Sequence, residues 1–377
     1  MHIQELKELT MSRIDDSIAE YCPDGVEYKR LGDVCKIKNG KDYKHLSAGD
    51  IPVYGSGGVM DVRVDTSVYD RPTVLLPRKG SIANVFYVDG PFWNVDTIFY
   101  TVIDEEQVIP RYLYHVMMNV HIENYSTGSA ARPSLTQSAL NKIEIPVPSL
   151  EIQSEIVRIL DSFSSLEAEL EAELEARRKQ YAYYRDELLT FDRERVLVIT
   201  VGELCDINRG RVMSKGYLEK HRGAYPVYSS QTANNGRFGF INSYDYDGEY
   251  ITWTTDGANA GSVFYHDEKF SITNVCGLLR IKDSRVRAKY LKYVLDVTAK
   301  QYVNTGMGNP KLMSNVMKQI KVGIPSLAEQ DRIISILDRF DKLTNDLSSG
   351  LPAEIEARRK QYEYYRDRLL SFDELAV

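Results

Sequence analysis

The sequence predicts an α+β chain: two mixed α/β lobes separated by two long helices that pair as an antiparallel coiled coil, with an internal pseudo-twofold repeat. Three observations carry this. "EARRKQYAYYRDELLTFD" (Glu175 to Asp192) returns as "EARRKQYEYYRDRLLSFD" (Glu356 to Asp373), with 15 of 18 positions identical. Five further pairs of segments match in the same order, at offsets that start at 170 and reach 181 at the last. Downstream of each lobe, apolar residues recur at mostly alternating steps of three and four, the signature of a helical seam.

The ordered matches define one unit of about 180 residues, duplicated in tandem. "LGDVCKIKNGK" from Leu31 pairs with "VGELCDINRGR" from Val201, keeping Gly32/Gly202, Cys35/Cys205, Ile37/Ile207 and Gly40/Gly210. "IPVYGSGG" from Ile51 pairs with "YPVYSSQT" from Tyr225, and "VFYVDGPF" from Val85 with "VFYHDEKF" from Val263. "STGSAARPSL" from Ser126 pairs with "NTGMGNPKL" from Asn304. "IPVPSLEIQSEIVRILDSF" from Ile145 pairs with "VGIPSLAEQDRIISILDRF" from Val322. The expected boundaries are a first lobe at 1–148, a helix at 149–192, a second lobe at 193–325 and a second helix at 326–377.

Within the lobes, strand-forming runs bounded by Gly, Asp, Asn and Pro are expected at 73–76, 81–88, 97–102, 250–254, 262–265 and 277–281. One amphipathic helix per lobe starts near Arg111 and near Arg287. A short strand closes each lobe and ends at Pro148 or Pro325, which cannot continue a ladder. Ser149 and Ser326 then read as N-caps. The first seam runs Ile156, Ile159, Phe163, Leu166, Leu170, Leu174, Tyr181, Tyr184, Leu188. The second runs Ile333, Ile336, Phe340, Leu343, Leu347, Leu351, Ile355, Tyr362, Tyr365, Leu369. A helix of 40 residues is about 60 Å long. The second copy carries four extra residues, and Gly350 and Pro352 there should break or kink it. With no globular sequence around them, the two stripes are expected to pack on each other.

Composition is that of a globular protein, 43% hydrophobic and 27% charged. No apolar run approaches a membrane span. Residues 1–20 are amphipathic and mixed in charge, with no apolar export core, so a cytoplasmic chain without membrane contact is expected. Cys22, Cys35, Cys205 and Cys276 form no CxxC pair and read as free thiols. His115 and His121 lack metal-ligand spacing. The net charge is −7, and the helices account for it: residues 151–190 hold 10 acidic and 5 basic residues, residues 327–373 hold 10 and 8. The lobes are therefore neutral, which permits local basic faces.

Catalytic signatures are missing from the sequence. "NGK" at Asn39 lacks the earlier glycine of a P-loop. "YGSGG" loses its glycines in the second copy, so a turn or DNA-facing loop fits it better than a phosphate cradle. The first-copy equivalents of Asp245, Asp247, Glu249 and Asp256, in "SVYDRPTVLLPRKG", mostly differ, which argues against a shared catalytic role. No GxSxG or HExxH appears. No cofactor is expected. The near-identical helical ends, by contrast, are rich in Arg and Tyr, residues favoured at interface hot spots. Arg177, Arg178, Tyr181 and Tyr184, with Arg358, Arg359, Tyr362 and Tyr365, are the candidate docking residues.

Taken in order, "CPDGVEYKRLGDV", "VYGSGG", "TGSAARPSL", the two "PSL…Q" helix starts and the doubled "EARRKQYxYYRD" resemble the DNA-specificity subunit of type I restriction–modification systems. The resemblance spans essentially the whole chain. It implies a non-catalytic protein whose lobes are target-recognition domains, each reading half of a bipartite, asymmetric site in double-stranded DNA. It implies docking of two copies of an adenine-N6 methyltransferase subunit, and through them of restriction/translocase subunits. The helices would set the half-site spacing. The readers would be polar loop residues between the matched anchors: Lys38, Asn39, Lys41, Ser56, Arg78, Lys79 and Asn84 in the first lobe; Arg209, Arg211, Ser229, Ser230, Gln231, Asn234, Asn235 and Asn259 in the second. Base edges specify sequence and phosphates position the protein. Two other readings stay open on the residues alone: a coiled-coil adaptor with duplicated protein-binding heads, and a repeat enzyme acting on nucleotides or glycans.

Overall fold

The computed structural model describes residues 25–127, 133–191, 196–306, 308–346 and 348–375. The amphipathic start of the chain, Cys22, Arg132 and the seam position Leu347 lie outside them. The first lobe comprises β1 (Tyr28–Arg30), α1 (Leu31–Val34), β2 (Cys35–Asn39), β3 (Ala48–Gly55), β4 (Gly58–Val64), β5 (Thr73–Pro77), β6 (Phe86–Val88), β7 (Trp93–Asn94), β8 (Ile98–Ile103), α2 (Pro110–Asn119), α3 (Gln137–Leu140) and β9 (Glu144–Pro146). Helix α4 (Leu150–Leu189) follows. The second lobe comprises β10 (Leu197–Thr200), α5 (Val201–Leu204), β11 (Cys205–Arg209), α6 (Lys215–Lys220), β12 (Tyr225–Tyr228), β13 (Arg237–Ile241), β14 (Tyr246–Thr254), β15 (Val263–Ile272), β16 (Cys276–Ile281), α7 (Ala288–Thr298), α8 (Ser314–Met317) and β17 (Lys321–Ile324). Helices α9 (Leu327–Asn345) and α10 (Leu351–Leu369) follow. The expected strands are present, except that 81–88 shrinks to β6 and that β14 and β15 run several residues beyond the expected spans.

Contacts divide the chain into two units. One holds Met1–Glu171 and Glu354–Val377, the other Ala172–Ala353.

In the first unit, the sheet order is β2-β8-β5-β6, beside a three-stranded sheet β4-β3-β7 in which β3 and β7 run parallel. Helix α2 covers the four-stranded sheet, burying Tyr112, Leu113, Val116 and Met117. The first turns of α4 bury Ile152, Ile156, Ile159, Leu160 and Phe163 in the same core. The expectation that the stripe has nothing globular to pack against is thereby corrected: its first half completes the lobe it follows. The last helix arrives from the other side of the sequence. Leu369 and Leu370 are buried in this core, with Tyr362, Tyr365 and Phe372 packed against it. Phe163 stacks on Tyr365, ring centroids 5.2 Å apart. Arg359 reaches Glu167 at 2.7 Å and Glu171 at 3.3 Å. Numbers rise on one helix as they fall on the other, so the two run antiparallel here.

The second unit repeats the plan. A six-stranded sheet runs β11-β16-β14-β15-β12-β13, again with one parallel pair, β12–β15. Ile333 and Leu337 of α9 enter its core, and Tyr181, Leu188, Leu189 and Phe191 from the end of α4 pack on it. Phe340 meets Tyr181 and Tyr184 at 6.1 and 5.9 Å. Each lobe is therefore closed by its own helix start and by the repeated segment of the opposite copy.

Side-chain bonds recur pair for pair. Buried Gln153 accepts from the Ile109 amide at 2.8 Å and donates to the Gln107 and Pro148 carbonyls at 2.9 and 2.8 Å. Buried Gln330 does the same for the Arg287 amide at 2.8 Å and the Arg285 and Pro325 carbonyls at 2.8 and 2.9 Å. Asp161 holds Arg111 and His115; Asp338 holds Lys289 and Tyr293. The Tyr112 hydroxyl donates to Pro146 and that of Tyr290 to Gly323. Ser149 and Ser326 cap their helices, accepting from the Ile152 amide at 3.5 Å and the Glu329 amide at 3.3 Å.

The second helix breaks where expected. Helix α9 ends at Asn345, with Asp346 extended, and the Gly350 amide donates to the Asp346 carbonyl at 3.0 Å before α10 begins. A Cβ on Gly350 would lie 2.5 Å from the Lys342 carbonyl oxygen. Pro352 sits in the first turn of α10, where its missing N–H costs nothing.

Replacing Gln153 or Gln330 by Ala strands one amide and two carbonyls in a dry site. Each change is expected to destabilise its own unit by about 2–3 kcal/mol. Urea unfolding followed by fluorescence checks it, and a midpoint unchanged from wild type contradicts it.

Candidate nucleic-acid interface

The retained glycines Gly40 and Gly210 locate the equivalent rim in both lobes. Added Cβ atoms would sit 1.9 Å from the Val95 carbonyl oxygen and 2.0 Å from that of Ile272. Only glycine lets the chain leaving β2 or β11 cross the second backbone this closely. Around each crossing, loops distant in sequence converge.

In the first lobe the Lys41 amide donates to the Asn94 carbonyl at 2.9 Å, and the Trp93 indole donates to the Lys41 carbonyl at 2.9 Å. The Arg78 and Lys79 amides donate to the Thr97 carbonyl at 2.8 and 3.2 Å. The Ser56 amide reaches Thr97 Oγ1 at 3.3 Å, and Asn84 donates to the Ser56 carbonyl at 3.2 Å. Lys79 pairs with Asp96 at 3.6 Å in the open, a weak contact. The seven expected residues thus gather on one rim, and Lys38, Asn39 and Lys41 are exposed on it. Here β3 and β4 join through the two-residue turn Ser56–Gly57, with Gly58 at φ +106°.

In the second lobe most of the expected readers are committed inside the protein. Arg209 donates to Thr255 Oγ1 at 2.9 Å and the Asn274 carbonyl at 2.6 Å, with Asp256 at 3.5 Å. Arg211 is held by Asp245 at 3.0 Å and the Tyr217 hydroxyl at 2.8 Å. Ser229 shares a 2.7 Å bond with Thr273, Ser230 donates to the Val275 carbonyl, and Gln231 donates to the Arg237 carbonyl. Exposed side chains remain at Asn234, Asn235 and Asn259. Asn234 and Asn235 stand at φ 51° and 54°, followed by Gly236 at 81°. Asparagine tolerates this left-handed region better than most residues. The loop between β12 and β13, residues 229–236, replaces the two-residue turn of the first lobe.

Equivalent positions differ in chemistry. Lys79 bridges to Ser134 in one lobe and Asp256 to Lys311 in the other. Asn39 ends β2 where Arg209 ends β11. The four carboxylates of the second lobe do not converge either. Asp245, Asp256 and Asp247 pair with Arg211, Arg209 and Lys269, and Glu249 accepts from Tyr265. Among the described residues no His/Cys/Asp/Glu group could hold a metal ion. Cys35, Cys205 and Cys276 are free, and burial pushes their thiols up to about 12.

Beneath the second rim lies His266. It bonds Thr252 at 2.9 Å and meets the Tyr228 ring at a tilt, centroids 3.9 Å apart. Burial holds its pKa down to about 4. Glu268 stands 3.7 Å away, but against a neutral ring this is no ion pair.

The candidate docking residues turn mostly inward. Tyr181, Tyr184, Tyr362 and Tyr365 contact their own units as described above. Arg177 is held by Glu173, Arg358 by Glu354, and Arg359 by Glu167 and Glu171; Arg178, Arg359 and Tyr184 are exposed. Tyr183 and Tyr364, equivalent and off the seam, were missed as candidates. They are 64% and 60% exposed, which leaves them available to something outside the chain. The helical period was the signal for them, since 183 falls between the seam positions 181 and 184. No described helix is long and apolar enough to cross a membrane.

A family described as the type I restriction modification DNA specificity domain matches twice, at residues 23–176 and 194–357. A Haemophilus influenzae protein bearing the name of a type I restriction enzyme specificity subunit is 32% identical over 92% of this chain and 96% of its own length. A Mycoplasma pneumoniae protein named as a type I specificity subunit is 42% identical over 64% of this chain and 91% of its own. The crystal structure of a type I restriction–modification S subunit from M. genitalium superposes with a TM-score of 0.67 at 17% identity, covering 92% of this chain and 96% of that one.

Two outcomes follow from this geometry. Gly210→Ala must push the β11 exit off Ile272 and is expected to destabilise the second unit by roughly 2–4 kcal/mol, read in a thermal melt. His266 binds fewer protons folded than unfolded between its folded value near 4 and the ordinary 6.5. Its contribution is therefore full above pH 6.5 and declines as pH falls toward 4, by up to about 3 kcal/mol. His266→Gln is expected to flatten that part of the stability–pH curve.

Proposed function

Because the chain belongs to the type I restriction–modification DNA specificity family, we propose that its two lobes read the two halves of a bipartite, asymmetric site in duplex DNA. In this reading the chain carries no catalytic chemistry of its own. It docks two copies of an adenine-N6 methyltransferase subunit, and restriction/translocase subunits join through them. The observation that carries the reading is the contrast between scaffold and rim. Gln153/Gln330, Asp161/Asp338 and Gly40/Gly210 make the same bonds and crossings in both halves. The rims between them change charge, loop length and side-chain type. Two readers with different targets on one frame need that combination.

Exposed Lys38, Asn39 and Lys41 serve the first half-site, and Asn234, Asn235 and Asn259 the second. Ser56, Arg78, Lys79, Asn84, Arg209, Arg211, Ser229, Ser230 and Gln231 hold the loops in shape. Docking falls to the outward face of the repeated segment. Inward identity at Tyr181/Tyr362 and Leu188/Leu369 follows from packing on like cores. Outward identity at Tyr183/Tyr364 has no such cause, and one kind of partner bound twice supplies it. An adaptor with protein-binding heads is the weaker reading, since it gives no reason for amide- and lysine-lined rims.

Tyr183→Ala and Tyr364→Ala are each expected to weaken binding of one methyltransferase copy by about 30-fold, some 2 kcal/mol, leaving the melt unchanged. Native mass spectrometry should then show complexes with one copy instead of two. Full two-copy assembly in the double variant would refute the docking face. A wild-type complex without sequence-selective methylation would refute the function.

A further inference from the structure

The loop at 229–236 stands where the first rim has a two-residue turn, and its two asparagines hold the left-handed backbone. Its base is tied down by Ser229, Ser230 and Gln231, and the Ser229 amide donates to the Gly236 carbonyl at 3.0 Å. Gly236 is buried, its Cβ position 3.4 Å from the Phe264 ring. Two consecutive non-glycine residues in the left-handed region store strain. Loops keep such strain when it presents something. Here it presents two neighbouring exposed amides with no bonded partner among the described residues.

The surroundings suit a phosphate backbone. Arg237 follows directly, exposed and 5.0 Å over the Phe240 ring. Helix α6 packs on β13 through Leu218 and Gly239. Lys215 and Arg222 line an open hollow with Phe240, of about 390 Å³. None of Lys215, Arg222 and Arg237 makes an ion pair among the described residues, whereas Arg209 and Arg211 are neutralised. Arg237, left unpaired next to the exposed amides, fits a phosphate beside the base edges they would meet, and Lys215 and Arg222, which line the hollow along β13, extend the same charge.

Resting on the proposed function, we infer that Asn234 and Asn235 determine the specificity of the second lobe by reading an adenine. An asparagine amide offers one donor and one acceptor, matching adenine N7 and N6 in the major groove. Guanine presents two acceptors there and rejects it.

The test uses the assembled complex with its methyltransferase subunits on a plasmid library randomised across the recognition site, read by sequencing of methylated adenines. Asn234→Gly with Asn235→Gly keeps the left-handed backbone and removes both amides. This variant is expected to lose discrimination at one adenine of one half-site, by about 5- to 150-fold, with the other half-site unchanged. Asn234→Asp with Asn235→Asp keeps the size but loses the donor-plus-acceptor pair, and should lose the same position. A motif identical to wild type in the glycine variant overturns the inference while leaving the function standing. Loss of selectivity in both half-sites together, in a variant that melts like wild type, also overturns it. A wild-type complex with no motif at all overturns function and inference alike.

Discussion

Neither lobe closes its core with its own contiguous sequence. Leu369 and Leu370, more than 200 residues downstream of the strands they cover, are buried in the first lobe. Leu188 and Leu189, encoded before the second lobe begins, pack on the second. The helices are thus core elements before they are connectors. At about 0.8 kcal/mol per buried methylene, the leucines and tyrosines of one repeated segment contribute several kcal/mol to a lobe they do not adjoin. This constraint accounts for the near-identity of the two segments on their inward side. Both must fit the same socket, built from Phe163 and its neighbours in one unit and Phe340 and its neighbours in the other.

That socket also separates what can vary from what cannot. Gln153 and Gln330 each satisfy one amide and two carbonyls where a long helix meets the loop before the lobe's own helix. Gly40 and Gly210 permit a crossing that no side chain tolerates. The bonds made by these fixed elements are copied even where the bonded residue changes, as from Ile109 to Arg287; residues beyond them are free to change. Lys79 and Asp256 occupy matching bridges with opposite charge. The different lengths of the β3–β4 and β12–β13 connections follow the same division.

The architecture was largely legible in the sequence because duplication prints it twice. Offsets that drift slowly locate loops, and anchors that persist locate contacts. The packing of each helix was less legible. One apolar stripe serves its own lobe at Ile156 and a different partner at Tyr184, and a 3–4 period does not say which. The rim was legible as a region, since its residues fall between anchors and do converge. The roles of single residues were not. Arg209 is neutralised by Asp256 and bonded to Thr255 and the Asn274 carbonyl, all more than 40 positions away, and only folding brings these together. Tyr183 could have been separated from Tyr181 and Tyr184 by the period alone, because a residue in the seam is spent on packing.

The break between α9 and α10 bears on how such a chain can change. At it the Gly350 amide folds back on the Asp346 carbonyl. An insertion parked at that point leaves the phase of both apolar stripes intact, so the downstream segment still meets its socket in register. Additions or losses elsewhere along α4 would rotate every later side chain by about 100° per residue. Indels are thus absorbed silently at one spot and penalised along the rest, and the spot is marked by the glycine that fits against the Lys342 carbonyl.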